Sequence, residues 1–244
     1  MRIIQVHSYD DLSRDAADMV MLQISRKPWS LCVFPTGQTP RGLFCELVHA
    51  HHTGLADFSR VRFVSLDEYA GIAHDDRRCL SLWLGRELLQ PLGISEDRIY
   101  TFDAASTDPG AESARIEKVI ADCGGIDLAI VGLGPNGHVG FNEPGSAFDC
   151  RTRLVALARE SIRSNTAYWG SEADVPRFAF TLGLGTLLDS RTLILMASGS
   201  HKAGILSRMI KGPVTPAVPA TVLRLHPEGI VIADREAMSF CHYR

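Results

Sequence analysis

His138 stands in the run GLGPNGHVGFNEPG, residues 132–145, directly after an apolar segment ending at Val131. An imidazole titrates near neutrality and can take up and return a proton. Glu143, five residues on, is close enough on an irregular loop to orient the ring or share its proton. Asn136 can hold a hydroxyl or polarise the imidazole. A histidine ringed by glycines has no packing reason to be there. Further along the same logic, Val61–Leu66 is apolar and β-rich, and Asp67-Glu68-Tyr69 then begins abruptly. A partly desolvated carboxylate at that point would have a raised pKa and could serve as a base; a turn or helix-cap aspartate is the alternative.

Two other loops suit an anion. In PTGQTPRGLF (35–44), Gly37 gives the turn freedom, Thr39 can cap the following helix, and Pro40 fits its first position. Unpaired N–H groups and the positive dipole end would then face a ligand such as phosphate. A well-capped turn would read the same way. In SGSHKAGIL (198–206), Lys202 falls in the first turn of a helix, where it opposes the dipole unless an anion sits nearby. A solvated surface lysine is the alternative. There is no GxxxxGK[ST] phosphate loop. Residues 132–137 formally match GxGxxG, but Gly140, Pro144 and Gly145 behind them argue against the helix a dinucleotide site requires. A nicotinamide or flavin cofactor is not expected.

The elements that must position these residues are short apolar runs alternating with amphipathic stretches. Strands are expected at Arg2–Val6, Ser30–Phe34, Val61–Leu66, Arg98–Phe102, Asp127–Val131, Arg191–Ala197 and Gly229–Ala233. Helices are expected at Tyr9–Ser25, Pro40–His52, Arg78–Leu89, Gly110–Asp122 and His201–Ile210. Nearly all-apolar strands imply helices on both faces, so the fold class is α/β: three layers around a mainly parallel, Rossmann-like sheet. Ligands of such sheets bind outside the strands' carboxyl ends. The loops after Phe34, Ser65, Val131 and Ala197 should therefore converge.

Composition bounds the rest. The chain has 244 residues, 45% hydrophobic and 22% charged, with net charge −3. That suits one soluble domain over 1–244 and leaves no basic stripe for nucleic acid. No segment approaches the roughly 20 apolar residues that span a bilayer. The six cysteines are scattered without a CxxC pair, so neither a zinc ribbon nor a disulfide framework is indicated, and Cys32 reads as a buried reduced thiol. A cytoplasmic protein is expected.

The stretches FPTGQTP, FVSLDEY, DLAIVGLGPNGHVGFNEPG, RTRL, VPRFAFTLGLGTLLDSRTLILMASGSHKA and VPATVLRLHPEGIVIAD together resemble the glucosamine-6-phosphate deaminase/isomerase family, a relative of the 6-phosphogluconolactonases. NGHVGFNEPG is the specific part; lactonases carry a DGHTASLFP-like tail instead. The resemblance implies conversion of an amino-sugar 6-phosphate and water to a ketose phosphate and ammonia. It assigns Asp67 as the base at C2, His138 as the ring-opening acid/base and Glu143 as its carboxylate partner. Thr36, Gly37, Thr39 and Lys202 would hold the phosphate. No metal or cofactor is implied, and the state would be a monomer or homo-oligomer.

Three departures from the family pattern bear on this. Asn136 stands where an aspartate is often found, so Glu143 alone would orient His138. A lid arginine that grips phosphate is replaced near Ala167, with Arg163 as the candidate substitute and a different grip as the alternative. Val155 stands where a lysine often accompanies Arg153, so control by an acetylated amino-sugar phosphate is not expected. Glucosamine and galactosamine 6-phosphates fit comparably as substrates. A 6-phosphogluconolactonase and a non-catalytic sugar-phosphate sensing module are the competing readings.

Overall fold

The computed structural model describes residues 1–241. Ten strands occur: β1 (Arg2–Val6), β2 (Leu31–Val33), β3 (Arg62–Val64), β4 (Asp67–Tyr69), β5 (Ile99–Tyr100), β6 (Leu128–Gly132), β7 (Arg153–Ala156), β8 (Phe178–Thr181), β9 (Thr192–Ala197) and β10 (Gly229–Asp234). Seven of them form a parallel sheet in the order β1-β10-β9-β6-β2-β3-β5. Each central strand is buried on both sides. Along β2 and the residue after it, Leu31 and Val33 join one core cluster while Cys32 and Phe34 join the other. The same alternation runs through β6, with Ala129 and Val131 against Leu128 and Ile130. That is the period-two pattern of a sheet covered on both faces.

One face is covered by α1 (Tyr9–Arg26) and α2 (Arg41–His52), joined by α3 (Leu80–Leu84) and a π-helical turn at Gly85–Leu89. The other carries α4 (Pro109–Asp122), α6 (Leu184–Leu188) and α7 (Ala203–Lys211). Helix starts follow side-chain capping where it is available. Ser8 and Asp11 exchange backbone and side-chain hydrogen bonds at the start of α1, and Asp108 caps α4 ahead of Pro109. No helix is long and apolar enough to cross a membrane among the described residues. Cys32 is fully buried, which pushes its thiol up to about 12.

A second sheet was not expected from sequence. It is antiparallel, in the order β4-β8-β7. The anticipated strand Val61–Leu66 shortens to β3, and a separate strand, β4, begins just past its expected end. After β3 the chain leaves the parallel sheet, and Asp67 opens β4 opposite Thr181 of β8. Above this sheet lies α5 (Arg159–Trp169), also unanticipated, over a third cluster that includes Tyr69, Phe141, Ile162 and Trp169.

The far end of the large sheet, away from the loops, is fastened by Asp127. Its fully buried carboxylate accepts from Lys27 Nζ at 2.7 and 2.8 Å, Arg191 Nε at 3.0 Å and Leu31 N–H at 2.9 Å. Replacing it leaves the Leu31 N–H without a partner, a desolvation loss of about 1–3 kcal/mol. Asp127→Ala should therefore lower unfolding stability by about 3 kcal/mol in urea titrations while leaving KM unchanged at temperatures where it is folded.

Candidate active site

The strand order places the loops after β9, β6, β2 and β3 side by side, because those four strands are neighbours at the centre of the sheet. Between β2 and β6 the chain direction of growth reverses, which is where α/β sheets open a crevice. A cleft of about 650 Å³ lies there, lined by Thr36, Gly37, Thr39, Asp67, His138 and Lys202 together with Gln38, Tyr69, Phe141 and His201. Six of the nine residues anticipated for the site thus share one cavity. Its roof comes from α5, through Ser164, Asn165, Ala167 and Tyr168.

His138 is placed by a loop that only glycine permits at one point. A Cβ on Gly134 would come within 2.1 Å of His138 Cδ2 and Nε2, so the imidazole lies directly against that backbone. The loop behind it is tied down. Phe141 N–H donates to Thr181 Oγ1 at 3.1 Å, and buried Asn142 donates through Nδ2 to Val139 O and Leu182 O.

Glu143 and Asn136 do not line the cleft; they stand behind the histidine. Glu143 Oε2 lies 3.4 Å from His138 Nδ1 and accepts from Asn136 Nδ2 at 2.9 Å. Asn136 Oδ1 in turn accepts from the His138 N–H at 3.1 Å. The other oxygen, Oε1, accepts from Ala158 N–H at 3.2 Å, immediately before α5. Burial would raise the Glu143 pKa, but hydrogen bonding to and charge on His138, with help from Ser161 and Asn136, outweigh it and hold the carboxyl at about 2.

The expectation that Glu143 alone orients His138 is corrected here. Ser161 Oγ lies 3.1 Å from His138 Nδ1, and Asn136 ties the carboxylate to the histidine's own backbone. Ser161 lies 23 residues from His138 on a helix that no strong apolar period announces, so sequence offered no signal for it.

Asp67 presents the opposite electrostatics. Its carboxylate is partly buried at the cleft floor, with no hydrogen-bond partner among the described residues. Loss of solvent, then the neighbouring Glu68 charge, raises its pKa to about 8. Glu68 is itself fully buried. It accepts from Tyr69 N–H, Leu80 N–H, Ser81 N–H and Ser81 Oγ. In this way it pins the start of α3 beneath Asp67.

On the anion side, Lys202 occupies the position just before α7, at the end of a 3-10 turn. Burial lowers its pKa, and no carboxylate pairs with it among the described residues. An uncompensated, half-buried ammonium in a cleft favours an anionic ligand. Gly199 holds the preceding turn at φ 89°, with its N–H donating to Asp234.

Two expectations about phosphate binding need correction. Thr39 does not cap α2, which starts at Arg41 without a side-chain cap. The Gly42 N–H donates to Tyr9 Oη at 2.8 Å and the Arg41 N–H to Gln38 O, so neither is left for a ligand. Arg163 is exposed on α5 and lies outside the residues that line the cleft, because the helical period turns Ser164, Ala167 and Tyr168 inward instead. His201, next to Lys202, does line it. Arg153 is engaged by Asn142 Oδ1 and Ser146 Oγ, at 2.9 and 3.1 Å. Among the described residues, no cluster of three or more His, Cys, Asp or Glu is arranged to hold a metal ion.

Comparison with known proteins agrees with this geometry. Residues 8–232 match the family of glucosamine-6-phosphate isomerases/6-phosphogluconolactonase. A glucosamine-6-phosphate deaminase of Geobacillus sp. (strain WCH70) is 39% identical over 239 residues, spanning 98% of this chain and 95% of that one. Its counterpart in Thermoanaerobacter pseudethanolicus is 36% identical over the same length, spanning 98% and 94%. A solved monomeric glucosamine-6-phosphate deaminase superposes with a TM-score of 0.95 at 33% identity, covering 98% of this chain and 100% of that one. The 6-phosphogluconolactonase of Trypanosoma brucei, covering 98% and 97%, shares the fold with a TM-score of 0.75 at 18% identity. With its four central loops gathered around His138 and this likeness along nearly its whole length, the chain belongs to the glucosamine-6-phosphate isomerase/6-phosphogluconolactonase family.

Proposed function

We propose that the protein isomerises and deaminates an amino-sugar 6-phosphate, with glucosamine 6-phosphate as the substrate. The observation that carries this is the pair of proton-handling groups in one cleft: Asp67, with its pKa raised to about 8, and His138, backed by an ionised Glu143. Relatives named glucosamine-6-phosphate deaminase along nearly the full chain support the choice of substrate.

In this reading, His138 takes the proton of the O1 hydroxyl and returns it to the ring oxygen as the C1–O5 bond breaks. The open aldehyde makes the C2 proton acidic. Asp67 removes that proton while the protonated 2-amino group passes one of its own to O1, giving an enolamine across C1 and C2, and Asp67 then delivers its proton to C1. An iminium remains at C2, and water hydrolyses it to the ketose and ammonia, released as ammonium. Atoms balance as amino-sugar phosphate plus water to ketose phosphate plus ammonia, with no electrons gained or lost. A base whose pKa lies near the working pH suits abstraction at carbon. Lactone hydrolysis would leave Asp67 with no carbon proton to remove, and a sensing module would have no use for the pair.

Lys202 would hold the phosphate with Thr36, Gly37 and the Thr39 side chain, and His201 stands ready as a second donor. We also read the protein as a cytoplasmic monomer, in line with the monomeric relative and six free cysteines.

Ammonia release from glucosamine 6-phosphate, measured beside galactosamine 6-phosphate and 6-phosphogluconolactone, tests the reading. No turnover of either amino sugar by folded protein would overturn it. Asp67→Asn should cut deamination about 10²–10⁴-fold. The same variant has a stability signature. Because the folded-state pKa of Asp67 is raised, its proton is held more tightly in the folded chain, and wild-type stability is lost as pH rises from about 4 through 8. The melting temperature of Asp67→Asn should therefore gain on wild type between pH 5 and pH 9. Lys202→Met should raise KM for the phosphorylated sugar by roughly 10–100-fold, about 1.4–2.7 kcal/mol of charge-assisted binding, and weaken inhibition by inorganic phosphate in parallel.

A further inference from the structure

We infer that Ser161 is a positioning residue for the reaction: its hydroxyl bridges His138 and Glu143, so that docking of α5 fixes the histidine in the form that leaves Nε2 free for the substrate. This rests on the reading of His138 as the ring-opening group. Two contacts meet at His138 Nδ1, and Ser161 is also among the hydrogen-bonding groups that hold the Glu143 carboxyl low. Ser161 Oγ is nearer to His138 Nδ1, at 3.1 Å, than the Glu143 carboxylate is, at 3.4 Å. The serine is fully buried, in the first turn of a helix that also forms the cleft roof.

The proton positions follow from what each partner can do. An ionised carboxylate only accepts, whereas a hydroxyl donates once and accepts as well. Nδ1–H can therefore donate to Ser161 Oγ while Ser161 O–H donates to Glu143, and every lone pair where these groups meet faces a proton. The reverse tautomer would put the Nδ1 lone pair against the carboxylate. In that case Ser161 O–H could serve only one of them. With Nδ1 protonated, Nε2 carries the lone pair, lying against Gly134 on the cleft side.

The same contacts reach the roof. Glu143 Oε1 accepts from Ala158 N–H at the start of α5, so the carboxylate that faces His138 also holds the helix N-terminus, where a negative charge is favourable. Within α5, the Ser161 carbonyl accepts from Ser164 Oγ at 3.0 Å and Asn165 Nδ2 at 2.8 Å, and both of those residues line the cleft. At the far end, Tyr168 Oη donates to Arg78 O, and the Arg78 guanidinium stacks 4.3 Å over Trp169. Roof placement and the histidine's protonation form are thus two readings of one hydrogen-bond set.

The test compares Ser161→Ala, Ser161→Cys and Ser161→Thr with wild type, by steady-state kinetics and by ¹⁵N NMR of the His138 ring. Ala and Cys should lower kcat about tenfold with KM changed less than twofold, and the neutral ring should move from Nδ1–H to a mixture of tautomers. Thr, which keeps the hydroxyl, should restore most of both. Unchanged kcat and tautomer in the Ala variant would overturn the inference. So would a kcat loss with no tautomer change, which would mark Ser161 as packing only. If wild type released no ammonia at all, the proposed activity would fall, and the ring tautomers alone would still decide the role of Ser161.

Discussion

The Glu143 carboxylate has been withdrawn from water yet stays charged, and that is sustainable only because hydrogen-bond donors converge on it from separate parts of the chain. One is the His138 side of its own loop, another is Asn136, and a third is the backbone at the head of α5. Each of these would be misplaced without the charge, and the charge would be untenable without them. The glycines at 134 and 140 make the close approach physically available: a side chain at either would collide with the His138 ring or with Thr181. The loop, the roof helix and the orientation of the imidazole are consequences of neutralising one buried anion.

Asp67 shows what the same chemical group becomes when nothing neutralises it. Two carboxyls in the neighbourhood of one cleft are pushed to about 2 and about 8. The first is locked as an anion and can only orient; the second exchanges its proton near neutrality. Such a separation of environments is how a single residue type takes on distinct parts in acid–base chemistry. Glu68 sharpens it, since its buried charge sits beside Asp67 while its own oxygens are satisfied by the start of α3.

The central strands could be read from sequence because burial on both faces writes an unbroken apolar run, as in Leu128–Gly132 and Thr192–Ala197. The small sheet could not. β4 is three residues of DEY, and β7 has no buried residue and an arginine at its start, so neither carries the run or the alternation that marks a strand. Asp67, His138 and Glu143 stood out because polar residues interrupt or follow apolar segments there. Ser161 and the roof-lining face of α5 did not, because a helix over a wet cleft has polar residues on both of its sides. The supposed Thr39 cap failed for a tertiary reason: Tyr9, about 30 positions earlier in the chain, reaches across and occupies the helix end. Local rules cannot see such a competitor.

Asp67 hangs from the small antiparallel sheet and His138 from the large parallel one, and Thr181 stitches the two, opposing Asp67 in the ladder while its hydroxyl receives the Phe141 N–H. The spacing between the two working groups is therefore a tolerance across a seam, and neither sheet contains it. Phe180 and Leu182 also pack into the same core cluster as the strands of the parallel sheet, so the seam is apolar as well as hydrogen-bonded. A change at Thr181 therefore bears on catalysis without touching either working group.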